Sequence, residues 1–360
     1  MAKHLENIRA CMKDNHADAL YLKSKTMKKY LQTMTGGGCR VLLTQDDGYL
    51  LLDGRYLEEA REKEKDLKII LSDDIPGDII KILKENGLTS LALENEETSV
   101  EEYEYFKNGV DSVMLFEDEP ALMRIRKDEE EIRRVQEAVD LTDEIFEKVK
   151  EKIHVGMTEN EISALLQYYA IAAGAQKMSF DTIVSSGERT ALPHGRPTNR
   201  RIQAHEPLMI DFGIQYNNYQ SDMTRMLFIG EPNEKIRDIY NTVLKAQTTA
   251  LAGIEAGKTG KEIDAIARGI ITDAGYGEYF NHGLGHGIGI GDGNELPRLN
   301  QKSDMVLEDG MMMSCEPGVY VPGVGGVRIE DDVLIINGRG KALNHTPKEM
   351  CILKEEDHAV

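Results

Sequence analysis

The chain has 360 residues, long enough for two domains that each bury a core. Lys and Arg total 43 against 63 Asp and Glu, and the resulting net charge of −20 repels a phosphate backbone and argues against nucleic acid as a partner. No apolar run is long enough to span a bilayer, and the start, MAKHLENIRACMKDN, lacks the apolar stretch of a signal peptide, so no membrane partner and a cytoplasmic location are expected.

In chain order, the first ~120 residues alternate helix and strand patterns of the kind that builds an α/β layer domain. LENIRACMKDN reads as a helix and ADALYL as a strand, and CRVLLTQDDGYLLLDGR as a hairpin turning at Asp47-Gly48. KIILSD and SLALE are further strands, with DIIKILKENG a helix closed by Gly87. The acidic run Glu117-Asp118-Glu119-Pro120 reads as a linker, which places the domains at 1–122 and 123–360. After it, Asp128 and Glu131 form a capping pair for a helix whose apolar face carries Ile132, Val135, Val139 and Phe146. Cys11, Cys39, Cys315 and Cys351 have no C-x-x-C spacing; Cys315 reads as a buried small side chain. His4, His16, His154, His205, His345 and His358 lack any chemical context and read as surface residues.

The second domain holds a weak internal repeat. VGMTENEISALLQYYAIAAG and AGKTGKEIDAIARGIITDAG align without a gap, matching Thr158 to Thr259, Glu161 to Glu262 and Gly174 to Gly275. Each copy is a Thr-x-x-Glu capping box opening an amphipathic helix that a glycine closes. Two similar α/β halves facing each other would leave a cleft between them.

Five residues in this domain form a pattern with chemical content. LMIDFGIQYNNYQSDMTRMLF reads as a hairpin turning at Asn217-Asn218, which puts Asp211 and Asp222 opposite or diagonal to each other. SCEPGVYVPGVGGVRIED places Glu316 and Glu330 symmetrically about Pro322-Gly323, and His286 lies in the glycine-rich HGLGHGIG. Like-charged carboxylates on apolar strands repel one another unless a cation sits between them. Four carboxylates and one imidazole suit a pair of divalent ions ~3.5–4 Å apart, as used in metal-assisted hydrolysis.

These motifs carry a family resemblance. The DFG at Asp211, SDMTR around Asp222, His282-x-x-Gly285-His286-Gly287, Glu316-Pro317-Gly318, Arg328-Ile329-Glu330 and the upstream Leu192-Pro193-His194 together resemble the pita-bread metallopeptidases, in their Xaa-Pro dipeptidase and Xaa-Pro aminopeptidase branch. The first third is similar to the creatinase-type amino domain, through Asp53-Gly54-Arg55-Tyr56. The resemblance implies an α/β chain, with a creatinase-like domain ahead of a pita-bread domain of two pseudo-twofold halves. It implies a homodimeric exopeptidase that hydrolyses Xaa-Pro bonds in short peptides with metal-activated water. Manganese is the favoured ion, with cobalt, zinc and iron as alternatives. Asp222 and Asp211 would share one ion, Asp211 and Glu330 would bridge, and His286 and Glu316 would complete the second. Glu316 would double as general acid-base group, with His194 and His282 binding substrate and moving protons. Arg328 is placed to pair with a carboxylate ligand or with the substrate's carboxylate.

One stretch departs from the family pattern. Relatives carry a second histidine seven residues beyond the metal histidine, whereas this chain has Gly293 there and aligns Asn294 ahead of Glu295 and Pro297. Asn294 can donate a hydrogen bond in the histidine's place but carries neither proton nor charge. A catalytically degenerate binding protein, or a hydrolase of another small amide, is therefore the alternative expectation.

Overall fold

The structure, a computed structural model, describes residues 2–291 and 295–353. It divides into two compact units, Met1–Arg124 and Ile125–Val360.

The first unit is built on a six-stranded mixed sheet with the order β4-β3-β2-β1-β5-β6. Its strands are β1 (Ala19–Leu22), β2 (Cys39–Thr44), β3 (Gly48–Leu52), β4 (Lys68–Leu71), β5 (Ser90–Glu94) and β6 (Ser112–Phe116). The helices are α1 (Ala2–Asp14), α2 (Lys25–Tyr30), α3 (Leu57–Lys63), α4 (Ile75–Glu85), α5 (Val100–Gly109) and the single turn α6 (Glu119–Leu122). Alternate strand residues, among them Tyr21, Leu42, Leu51 and Leu93, pack with Ile79, Leu83 and Phe106 of α4 and α5. Their neighbours Leu20, Val41, Leu50 and Ala92 are equally buried, so helices cover both faces and these strands read as unbroken apolar runs.

The structure departs from two local expectations, the position of the β2–β3 turn and the exposure of His4. Leu43 pairs with Gly48, so the β2–β3 turn centres on Gln45-Asp46, closed by the Thr44 N–H on the Asp47 carbonyl at 2.9 Å. Gly48 begins the next strand instead. Glu119 and Pro120 of the acidic run start α6, where a proline in the first turn loses no helical hydrogen bond. His4 is buried and stacks on Tyr30 with ring centroids 4.0 Å apart.

The second unit begins with α7 (Glu129–Lys150), opened by the Asp128–Glu131 capping box, and α8 (Glu159–Ala172). Strands β7 (Lys177–Met178), β8 (Ile183–Ser186), β9 (Pro207–Phe212), β10 (Ile214–Tyr216), β11 (Tyr219–Gln220) and β12 (Met223–Ile229) follow. Next come α9 (Glu234–Gly253), α10 (Gly260–Asp273), β13 (Met312–Cys315), β14 (Gly318–Val321), β15 (Gly325–Arg328), β16 (Asp331–Ile336), β17 (Arg339–Ala342) and β18 (Cys351–Leu353).

The two halves repeat each other in backbone detail. Helices α8 and α10 both open with complete Thr-x-x-Glu capping boxes, and Gly174 and Gly275 close them at φ +97° and +84°. Gly156 N–H bonds the Ile202 carbonyl, as Gly257 N–H bonds that of Leu307. Asn160 N–H bonds Thr198 O, as Lys261 N–H bonds Ser303 O. Each half has its own core, and β9 and β12 form the wall between them. Leu208, Ile210, Leu227 and Ile229 face α7 and α8, whereas Met209, Met226 and Phe228 face α9 and α10. Strand alternation thus turns Asp211, two residues from Met209, toward the second half.

Candidate metal centre

Two hairpins bring the carboxylates together. Residues 207–229 form a hairpin that keeps one antiparallel register across a break at Gly213 and Asp222, and its turn residues Asn217 and Asn218 are both at positive φ (+48° and +71°), as a tight primed turn requires. Asp211 pairs with Thr224, so Asp222 lies diagonally across on the same face. The second hairpin pairs Cys315 with Asp331 and Gly318 with Arg328. Its ladder is interrupted between those pairs, at Glu316 and Glu330. There the backbone finds other partners: Glu316 N–H bonds the Leu284 carbonyl at 2.8 Å and Glu330 N–H that of Thr224 at 3.2 Å. The interruption stitches the second hairpin to the first and to the glycine-rich loop, converging their side chains.

That loop depends on close backbone approach. A Cβ at Gly285 would sit 2.1 Å from the Ser314 carbonyl oxygen, and one at Gly287 would sit 2.4 Å from that of Leu296. His286 is held between them, with its N–H on Ser314 Oγ at 3.1 Å. Its Nδ1 lies 3.0 Å from the Gly287 carbonyl, which orients the ring and aims Nε2 at the carboxylates. Nε2 is 3.5 Å from Asp222 Oδ2 and 3.5 Å from Glu316 Oε1. One ligand atom from each of Asp222, His286 and Glu330 falls within 4.8 Å of the others. Ser314 Oγ donates to Glu316 at 3.2 Å, Thr224 Oγ1 to Glu330 Oε2 at 2.6 Å, and Arg328 Nη2 to Asp211 Oδ2.

The donor set fits divalent cations. Each of Asp211 Oδ1, Asp222 Oδ1 and Glu330 Oε1 is buried with no hydrogen-bond partner. Native proteins rarely leave such atoms unsatisfied, and on three neighbouring carboxylates they mark the place of a cation. The electrostatics agree. Burial, only partly offset by the Arg328 charge, and repulsion from Asp222 and Glu316 push the Asp211 carboxyl up to about 7. Burial and like-charge neighbours raise Glu330 strongly and Glu316 as well. For His286, burial acts downward, but the Asp222 hydrogen bond and the Glu316 charge prevail and bring it to about 10, with 45% of its side chain accessible.

The other expected residues are spread around this cluster. His194 is exposed in the loop after β8, where the Pro193 carbonyl accepts from Arg328 Nη1 at 3.1 Å. His282 Nδ1 is 2.7 Å from the Gly283 carbonyl and Nε2 is 2.9 Å from the Tyr320 hydroxyl. Burial and the Arg328 and Arg268 charges lower its pKa to about 4, so the ring is neutral, with the proton on Nδ1 and Nε2 accepting from Tyr320. Arg328 is buried, with Nε on Thr224 Oγ1 (3.0 Å), Nη1 on Tyr320 Oη (2.8 Å) and Nη2 on Asp211. Of its two possible partners, this geometry supplies the carboxylate of Asp211. Asn294 lies outside the described residues. Sequence reasoning passed over Tyr320, Thr224 and Asp332, whose Oδ2 accepts the Asp222 N–H at 2.9 Å. Asp332 sits two residues beyond Glu330, and Thr224 two beyond Asp222, so strand alternation was the available signal.

Comparison with known proteins follows the same division. Residues 133–337 match the model of metallopeptidase family M24, and residues 4–127 that of the creatinase/prolidase N-terminal domain. The Xaa-Pro dipeptidase of Pyrococcus furiosus is 37% identical over 351 residues, covering 97% of this chain and 100% of that protein. A solved Xaa-Pro dipeptidase from Bacillus anthracis superimposes with a TM-score of 0.93 at 36% identity, covering 98% of this chain and 99% of that one. The prolidase of Pyrococcus horikoshii OT3 does so with a TM-score of 0.88 at 35% identity, covering 96% and 99%.

Proposed function

The chain belongs to metallopeptidase family M24, with a creatinase/prolidase N-terminal domain ahead of the M24 domain, and on that premise we propose that it is a dimetal exopeptidase cleaving Xaa-Pro bonds in dipeptides and short peptides. The observation that carries the chemistry is the set of buried, partnerless oxygens on Asp211, Asp222 and Glu330 beside His286. The preference for proline comes from the relatives that bear the Xaa-Pro dipeptidase name.

In this reading Asp211, Asp222, His286, Glu316 and Glu330 would together hold two divalent ions. Such ions supply Lewis acidity and lower the pKa of a water to the neutral range. The chain supplies the rest. Arg328 and Thr224 orient Asp211 and Glu330, so that the oxygens not bonded to them face the centre. Glu316 takes a proton from the attacking water and His194 passes one to the leaving amine, while the neutral His282 contacts the substrate. Manganese is the proposed ion, ahead of cobalt, zinc and iron; the proposed state is a cytoplasmic homodimer. No helix among the described residues is long and apolar enough to cross a membrane.

The test is hydrolysis of dipeptides and tripeptides with and without proline second, after loading with manganese, cobalt or zinc. Turnover confined to Xaa-Pro peptides supports the reading. No turnover with any ion would favour the binding protein or other-amide hydrolase to which Gly293 points.

A further inference from the structure

We infer that Glu159 is a positioning residue for His194, fastening both ends of the loop that carries it. The inference rests on the proposed role of His194 in turnover. Glu159 is the first residue of α8 and is fully buried. Its Oε1 accepts from the Ser186 N–H and hydroxyl, both at 2.9 Å. Its Oε2 accepts from the Thr198 N–H at 3.0 Å and hydroxyl at 2.7 Å. Arg189 Nε lies 3.3 Å from both oxygens. One carboxylate thus clamps the last residue of β8 and residue 198, the two ends of the segment in which His194 sits. Midway, the Thr190 hydroxyl accepts the Gly326 N–H at 2.7 Å, and Arg328 holds the Pro193 carbonyl. The loop is therefore fixed to the strand whose Arg328 also holds Asp211.

The internal repeat shows what this carboxylate is for. The helix start itself needs only Thr158 and Glu161, which form the capping box. In the second half the same place is taken by Gly260, and α10 begins with the same geometry and the same backbone bonds. There a Cβ would meet the Arg298 carbonyl oxygen at 2.2 Å and Ser303 Oγ at 2.8 Å, so the neighbouring chain leaves no room for a side chain. Between Gly287 and Ser303 the second half carries no histidine. Among the described residues, this clamp stands in the half that carries His194.

The test is Glu159→Gln, which keeps the shape but turns one acceptor into a donor facing an N–H and removes the counter-charge of Arg189. Displacement of a reacting group by about 1 Å costs on the order of 10²-fold, so kcat on a Xaa-Pro dipeptide should fall ~10- to 10²-fold with metal content unchanged. In a His194→Ala background the same substitution should change kcat less than about twofold, because the two residues act as one unit. An equal fall in both backgrounds, or parental kcat in the single variant, would overturn the inference. Amide exchange supplies a readout independent of activity: Ser186 and Thr198 N–H should exchange faster in Glu159→Gln, and unchanged protection would refute the clamp. If the parent cleaves no peptide, the proposed function fails while this exchange result still decides the clamp. Should Glu159→Gln not fold, Thr198→Val, which removes a single hydroxyl donor, should give the same pattern at several-fold size; a parental kcat and exchange rate in it would count against the clamp.

Discussion

Thr224→Val is a stringent probe of how the centre is built. The Thr224 hydroxyl is fully buried, donates to Glu330 Oε2 at 2.6 Å and accepts from Arg328 Nε at 3.0 Å. Valine keeps the volume and removes both bonds. Glu330 then loses the donor that engages Oε2 and leaves Oε1 available to a cation. A hydrogen bond to a charged group is worth about 1.5–3 kcal/mol. Loss of an outer partner of a metal ligand typically costs ~10–100-fold in affinity, or about 1.4–2.7 kcal/mol, so the two estimates agree. Thr224→Ser is the control: it keeps the hydroxyl and gives up one buried methyl, ~0.8 kcal/mol of fold stability. Titration calorimetry of manganese into chelator-stripped protein should show affinity down ~10–100-fold for valine and little changed for serine. Equal affinity in valine and parent, or an equal loss in both variants, would refute the argument.

Other expectations follow from the same geometry. His194→Ala and His282→Ala should retain their metals and lose ~10²–10⁴-fold in turnover, measured by peptide hydrolysis beside elemental analysis; parental turnover in both would show them to be bystanders. Tyr320→Phe strips the donor from His282 Nε2 and an acceptor from Arg328, and should lower kcat more than it raises KM. Lys28, buried against the Gly36 and Cys39 carbonyls, has its pKa lowered to about 8 by burial and the Arg40 charge. Its unfolded value is ~10.4, so the unfolded chain holds the proton more tightly and stability should rise as pH climbs from about 8 toward 10.4. Lys28→Met should flatten that rise in urea unfolding followed by circular dichroism, suitable for a chain without tryptophan. An unchanged pH profile would contradict it.

What could be read in the sequence was whatever repeats with a fixed period or spacing. The two hairpins were legible because Asp211 and Asp222 lie nearly symmetric about Asn217-Asn218, and Glu316 and Glu330 about Gly323, and the ladders keep those registers. The duplicated capping boxes were legible for the same reason. The break in the second ladder was not, because it depends on Leu284 and Thr224 offering carbonyls from distant segments. Tyr320 was hidden inside an ordinary strand pattern, and only the fold brings its hydroxyl between His282 and Arg328. Glu159 looked like any acidic residue in a first helical turn. Its burial is a tertiary fact, set by Ser186 and Thr198. The β2–β3 turn was misplaced because Asp47-Gly48 is a strong local signal that the pairing of Leu43 with Gly48 overrides.

A two-ion centre that hydrolyses Xaa-Pro bonds must bind two ions per chain and gain turnover as they bind. Chelator-stripped parent and Glu330→Gln are titrated with manganese while bound ion and Gly-Pro-type turnover are followed in the same samples. The parent should take up about two ions per chain, with turnover appearing as they bind, and Glu330→Gln should take up fewer and stay inactive. Full turnover in the stripped parent, or two ions and parental turnover in Glu330→Gln, would contradict the account.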